Sequence, residues 1–194
     1  IDKYIRKYNL KNLEEIKKNI SYTHSEAEYK LLEPWIQWVS FYYGQKFKEH
    51  NVFRLGEKIE GNHKNIFQII EEKGFKVGIV SAMNIFNNLR NPDYFIPDPW
   101  TETESDQDYW SKILSKSISS IVKDNARSTF DPKSLFYFFI TFIKFARIKN
   151  YLNYFNIFLK SIKKKWFRSL FLDLFLHDFH MKKLKKNNTD FTNI

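Results

Sequence analysis

The chain has 194 residues, 43% of them apolar and 19% aromatic, with a formal net charge of +10 and no cysteine. That is long enough for one domain with a sizeable core, short for two, and too apolar for a disordered segment. Without cysteine there are no disulfides, thiolate metal sites or cysteine nucleophiles, which leaves His, Asp and Glu as the only candidate metal ligands.

The charge is unevenly spread. From Lys133 onward the chain carries 13 Lys and Arg against 3 Asp and Glu, and the part before it is balanced. A basic third of this kind suits an anionic membrane, nucleic acid or an acidic partner, and it also suits a solvated helix face. Ile1-Asp2-Lys3-Tyr4 opens a charged helix, not a signal peptide. The longest apolar run, Leu135 to Ile143, is interrupted by Thr141 and falls short of the roughly 20 residues a membrane span needs. These features point to a cytoplasmic protein or one peripheral to a membrane. Beginning with Ile and stopping at Asn193-Ile194, the sequence reads as an internal fragment of a longer protein.

In chain order, Tyr4, Ile5, Tyr8, Leu10, Leu13 and Ile16 give residues 3–18 a loose helical period broken near Asn9. Residues 20–23 read as a short strand. Capping-box spacing at Thr23 and Glu26, and again at Ser25 and Glu28, predicts a helix from about Ser25 to Leu32, ended by Pro34. Pro34 suits the first turn of the next helix, along which Trp35, Trp38, Val39 and Tyr42 share one face and at which Gly44 is the natural stop. The positive end of that helix falls at Glu33-Pro34, a place suited to an anion.

Asn65 to Gly74 reads as a helix and Phe75 to Ser81 as a strand, with Gly78 small enough to lie under a close neighbour. The strand ends at Ser81-Ala82-Met83-Asn84, the carboxyl edge where α/β sheets hold their ligands. Asn91-Pro92-Asp93 and Ile96-Pro97-Asp98-Pro99 mark a loop running to about Asp106. Helices are predicted at roughly 107–125, 134–149, 151–165 and 166–186. The expected fold class is α/β: a single partial domain with a few-stranded core over 1–106 and a helix-rich carboxyl half over 107–194, an insertion or cap.

From Glu33 to Trp100 the chain resembles the nucleophile-helix region of the alkaline phosphatase superfamily, in its type I phosphodiesterase and nucleotide pyrophosphatase branch. The residues that carry the resemblance are Glu33-Pro34-Trp35-Ile36-Gln37-Trp38-Val39-Ser40, Gly44, Glu49-His50-Asn51-Val52, the helix-then-strand unit, and Tyr94-Phe95-Ile96-Pro97-Asp98-Pro99-Trp100. The resemblance implies a partial alkaline-phosphatase-like core and a metal-dependent hydrolase or transferase acting on phosphate, phosphodiester or sulfate esters. The substrate would be a small molecule or a glycan- or lipid-linked ester. It implies two divalent metal ions, commonly zinc, whose main ligands lie in strands outside this chain, so the chain alone is expected to be inactive.

Where the family carries its hydroxyl nucleophile this chain has Pro34, with Glu33 beside it. Two alternatives follow. Glu33 stands at the metal edge as ligand or base while Ser40, or an upstream Thr23 or Ser25, supplies the hydroxyl; or the chemistry has been lost and Glu33 only precedes a helix. Trp35, Gln37 and Trp100 are the candidate substrate contacts, the tryptophans suited to stacking on a base or sugar. Trp35 and Trp38 also fit an ordinary aromatic core at helical spacing.

Two further patterns lie in the carboxyl half. Asp173, His177 and His180, at i, i+4 and i+7, form either a ligand triad suited to zinc or the polar stripe of an amphipathic helix. Lys163-Lys164-Lys165-Trp166-Phe167-Arg168 and Lys182-Lys183-Leu184-Lys185-Lys186 have the composition of an interfacial helix. No base-reading motif accompanies them, which disfavours nucleic acid. The alternative function is therefore a non-catalytic helical module that meets an anionic membrane or nucleic acid through residues 160–186, with peripheral membrane contact preferred.

Overall fold

The computed structural model describes residues 2–19, 28–127 and 131–194, which form two compact units, 1–32 and 33–194. The strand read at 20–23 and the start of the helix read from Ser25 lie outside the described residues, as do Thr23 and Ser25 themselves. The first unit holds helices α1 (Asp2–Tyr8) and α2 (Lys11–Lys17). Asn9, left-handed at φ 49°, supplies the break between them. Lys17 meets Asp2 at 2.6 Å, and this hydrogen bond and charge hold the Asp2 carboxyl below its usual range. Only a single 3-10 turn, Tyr29–Leu31, forms where the predicted helix was to finish.

In the second unit α3 (Pro34–Tyr43) starts on its proline and ends where Gly44 turns left-handed at φ 63° and donates its N–H to the Ser40 carbonyl. One short turn, α4 (Phe47–His50), follows. Helix α5 (Ile66–Glu72) is capped reciprocally: Asn65 Oδ1 accepts from the Gln68 N–H and Gln68 Oε1 from the Asn65 N–H, both at 3.1 Å. Gly74, at φ 87°, then turns the chain into β1 (Val77–Val80).

The chain as described is mostly helical, with one small parallel sheet in the order β2-β1-β3. The residues read as loop at 94–96 are strand β2 (Tyr94–Ile96), with Gly78 opposite Tyr94 and Val80 opposite Ile96. The three residues of β2 are too few to show an alternation; their full burial beside β1 makes them a strand. Four helices follow: α6 (Tyr109–Arg127), α7 (Pro132–Phe145), α8 (Tyr151–Lys163) and α9 (Phe167–Asn187). The chain then returns as β3 (Phe191–Asn193), pairing Val77 with Phe191 and Ile79 with Asn193. The sheet therefore takes its third strand from the far end of the half expected to be helical.

Both faces of the sheet are covered, the usual condition of parallel strands. On one face Val77, Ile79 and Phe95 pack against Tyr42 of α3 and Phe67 of α5. On the other, Val80, Tyr94 and Ile96 meet Leu114 and Ile118 of α6, Phe145 of α7, Tyr154 of α8, and Phe175 and Phe179 of α9. Each of these large apolar side chains stabilises the fold by about 1.5–3 kcal/mol through burial. Helices α3 and α5 form one layer, the sheet a second and α6 to α9 a third, so the carboxyl edge of the sheet opens beside the start of α3.

Candidate functional site

Asn84 organises that edge. It is buried, held left-handed at φ 57°, and stands four residues past the end of β1. Its Nδ2 donates to the carbonyls of Arg54 at 3.0 Å and Trp35 at 3.4 Å, and its Oδ1 accepts from the Gly56 N–H at 2.6 Å. Its own N–H goes to Oδ2 of Asp98, two residues past β2, at 3.0 Å. The buried Asp98 carboxylate also accepts from the N–H groups of Trp100 and Thr101, at 2.9 and 3.1 Å, and from the Thr101 hydroxyl. The Trp100 carbonyl lies so close to Gly56 that a Cβ there would stand 2.7 Å from its oxygen. One asparagine and one aspartate thus tie the first turn of α3, the 54–56 turn and the ends of two strands into a single rim.

Trp35 and Trp100 are both brought to this rim. Trp35 is half-buried, its Nε1 donating to the Phe53 carbonyl at 2.9 Å, and Trp100 is exposed on the adjoining loop. Gln37 is half-buried on α3. Glu33 is exposed and caps nothing with its side chain; its carbonyl takes the Ile36 and Gln37 N–H groups at 3.0 and 3.1 Å. Since Pro34 has no N–H, Trp35 supplies the one early helix donor that Glu33 does not engage.

Ser40 is not brought to Glu33, because seven residues of helix separate them by roughly 10 Å. It meets His50, its Oγ 2.9 Å from Nε2. The other ring nitrogen, Nδ1, accepts the Val52 N–H at 3.0 Å, so Nε2 carries the proton and donates to Ser40. In that tautomer His50 does not take the Ser40 proton, and the pair clips α3 to α4.

Beyond Trp100 the loop borders an open groove of about 380 Å³, with Thr101, Thr103, Ser115, Lys116 and Ser119 on its walls. Among the described residues no three His, Asp or Glu side chains converge on a point where a metal ion would sit. The zinc that the resemblance implies therefore has no fitting ligand set there.

The α9 pattern divides. Asp173 and His177 are exposed, while His180 is buried with Nδ1 3.2 Å from the Tyr94 hydroxyl. The buried carboxylate of α9 is instead Asp178, reached by Arg147, Asn150 and Tyr154. Sequence spacing gave no sign of Asp178, which sits among Leu and Phe at the positions that face the core. Asn84 and Asp98 left a fainter trace, as Asx residues in the turns after strands.

Burial lowers the His50 pKa against the opposing pull of Glu49, and burial together with the charge of His177 lowers that of His180. Both rings stay neutral in the fold below the ordinary value of 6.5, where the unfolded chain takes up protons. Stability from this source is complete above that value and falls as pH drops toward the folded values. Melts at roughly pH 7.5 and roughly pH 5.5 should show the loss, and His50→Gln should reduce it. A melting point equal at both would refute the assignment.

No family model, curated protein or solved structure matches the chain.

Proposed function

We propose that this chain is part of a metal-dependent hydrolase or transferase acting on phosphate, phosphodiester or sulfate esters, with the reacting group held at the carboxyl edge of the sheet beside the start of α3. The observation that carries the reading is the Asn84 rim, which draws the opening turn of α3 and the ends of β1 and β2 to one place. Open α/β sheets bind ligands outside the carboxyl ends of their strands, and a helix start offers N–H groups and positive potential to an anion. Trp35, Gly56, Asn84, Asp98 and Trp100, far apart in sequence, meet there.

Glu33 is the residue the proposal depends on most. A carboxylate at the helix start competes with an anionic substrate for the same positive end. It therefore fits the role of base or cation ligand, not that of phosphate neighbour. Trp35 and Trp100 stand at the rim as substrate contacts, and Gln37, half-buried on α3, is the third proposed contact. The described residues supply no complete metal site, so the divalent ion, zinc by resemblance, enters as a requirement of the reaction class with its main ligands outside them.

The test is hydrolysis of bis-p-nitrophenyl phosphate, with phosphate monoester and sulfate ester analogues, by the whole protein that carries this chain, with and without zinc. Metal-stimulated release is expected, and none across the panel would overturn the reading. Glu33→Gln keeps size and removes charge; it should slow the active protein about 100-fold and leave its melting point unchanged. An unchanged rate would make Glu33 a bystander. Ser40→Ala in the same assay decides the hydroxyl: a comparable rate loss supports a catalytic role, and a lowered melt with full activity leaves only the clip to His50.

A further inference from the structure

Helix α8 is held to the body by one side and presents an apolar stripe to solvent. Tyr154 anchors it, its hydroxyl 2.9 Å from Asp178 and its ring against Phe142 and Phe171 at 4.8 and 5.0 Å. Away from that anchor, Leu152, Phe155, Leu159 and Ile162 recur at i, i+3, i+7 and i+10, flanked by Ile148 before the helix and Trp166 after it. They are far from the core: Leu152 is 78% exposed, Ile162 70% and Ile148 83%. Lys160 and Lys163 fall beside this stripe on the helical wheel, Lys149 stands in the 3-10 turn just before the helix, and Lys164, Lys165 and Arg168 follow it, all exposed.

From Lys133 through Leu172 the sequence contains no Asp or Glu. The surface around the stripe thus has cations and apolar side chains and no acidic group of its own segment to neutralise them. We propose that α8 docks this face on an anionic lipid bilayer, its stripe entering the headgroup and acyl boundary and its lysines reaching the phosphates.

Charge selects this occupant. Two copies packed stripe to stripe would bring their lysine rows together and repel. A nucleic acid would satisfy the lysines but leave Leu152, Phe155 and Ile162 in water. A bilayer surface satisfies both at once, and Trp166, with an apolar ring and a polar N–H, suits the boundary between them. The second basic cluster singled out in the sequence takes little part. Lys183 is buried against Asp108 at 3.2 Å, and Lys182 donates to the Lys144 carbonyl at 2.8 Å. The proposal stands independently of the ester chemistry.

The experiment is cosedimentation of the purified chain with phosphatidylcholine vesicles, with and without phosphatidylserine, across a salt series. Binding should require phosphatidylserine and weaken with salt. It should fall by about 10-fold or more in L152E/F155E and in K163E/K164E, because each pair removes one half of the recognition. All four side chains are exposed, so circular dichroism melts should match the parent, which separates lost binding from lost folding. Failure of the folded chain to bind phosphatidylserine vesicles overturns the proposal, as does equal binding to neutral vesicles or binding that L152E/F155E leaves intact. A dimer in light scattering that L152E/F155E dissolves would assign the stripe to a second copy. Preferential binding of an RNA oligomer, unaffected by L152E/F155E, would assign the lysines to nucleic acid.

Discussion

Asp178→Ala is expected to cost the fold roughly 3–5 kcal/mol, seen as a shift of the urea midpoint and a melting point lower by on the order of 10 °C. The carboxylate is fully buried in the middle of α9. Its Oδ2 accepts from the Arg147 N–H at 2.7 Å and the Tyr154 hydroxyl at 2.9 Å, and its Oδ1 from Arg147 Nε at 2.6 Å and Asn150 Nδ2 at 2.7 Å. Those donors come from the turn between α7 and α8 and from α8 itself, so one side chain of α9 holds α8 and the turn that leads into it in register. Alanine would leave four donors without an acceptor in a site with little water to replace it. Burial alone would raise the Asp178 pKa, but the Arg147 and Tyr154 hydrogen bonds and the Arg147 charge outweigh it and hold the carboxyl below the usual range. The stability this supplies is complete above the unfolded carboxylate value of about 4 and is lost as pH falls through the folded value. Asp178→Asn should therefore be clearly weaker than the parent at neutral pH and converge on it in acid. A neutral-pH stability equal to the parent's for both variants would mean the cluster does not hold the helices.

The sequence made the punctuation of this fold legible. Pro34, Gly44, Asn65 and Gly74 each stand at an element end for a local reason: a fixed φ, a left-handed cap, or a side chain that reaches its own helix. Such features act over a few residues, so they survive without knowledge of the partners. The long helices were legible for a similar reason, because α8 and α9 repeat an apolar period over three turns or more.

What escaped was non-local. Strand β2 has three residues, and it is a strand because β1 lies beside it. Strand β3 follows 95 positions later and finds the other edge of the same strand. The rim suffered likewise: Asn84, Asp98 and Gly56 are ordinary turn residues until hydrogen bonds spanning 28 and 14 positions join them. Ser40 and His50 were each noticed separately, but only the Val52 N–H on Nδ1 shows which of the two donates.

One non-local contact was legible after all, and substituting its glycine should have a comparably large effect. Gly78, predicted to lie under a close neighbour, stands opposite Tyr94 in the central pair of strands, and the tyrosine ring lies over it. A Cβ built at residue 78 would fall inside van der Waals distance of Tyr94 Cζ, Cε1 and Oη. The ring has no free direction to take. Tyr94 is fully buried among α6, α7 and α9, burial pushes its pKa up to about 12, and its hydroxyl lies 3.2 Å from His180 Nδ1. Gly78→Ala must therefore displace either β1 or the ring, and moving the ring also breaks the contact with α9. Overpacking of this kind costs about 3 kcal/mol, the upper end of its usual range, because a buried aromatic ring is less able to give way than an aliphatic chain. Urea unfolding of Gly78→Ala, Tyr94→Leu and the double variant measures the contact directly. Tyr94→Leu alone should destabilise by leaving a cavity, which the alanine methyl in part fills. The double variant should then be more stable than the two losses predict by about 1 kcal/mol or more. Simple additivity, or a Gly78→Ala protein as stable as the parent, would show that the ring does not rest on the glycine.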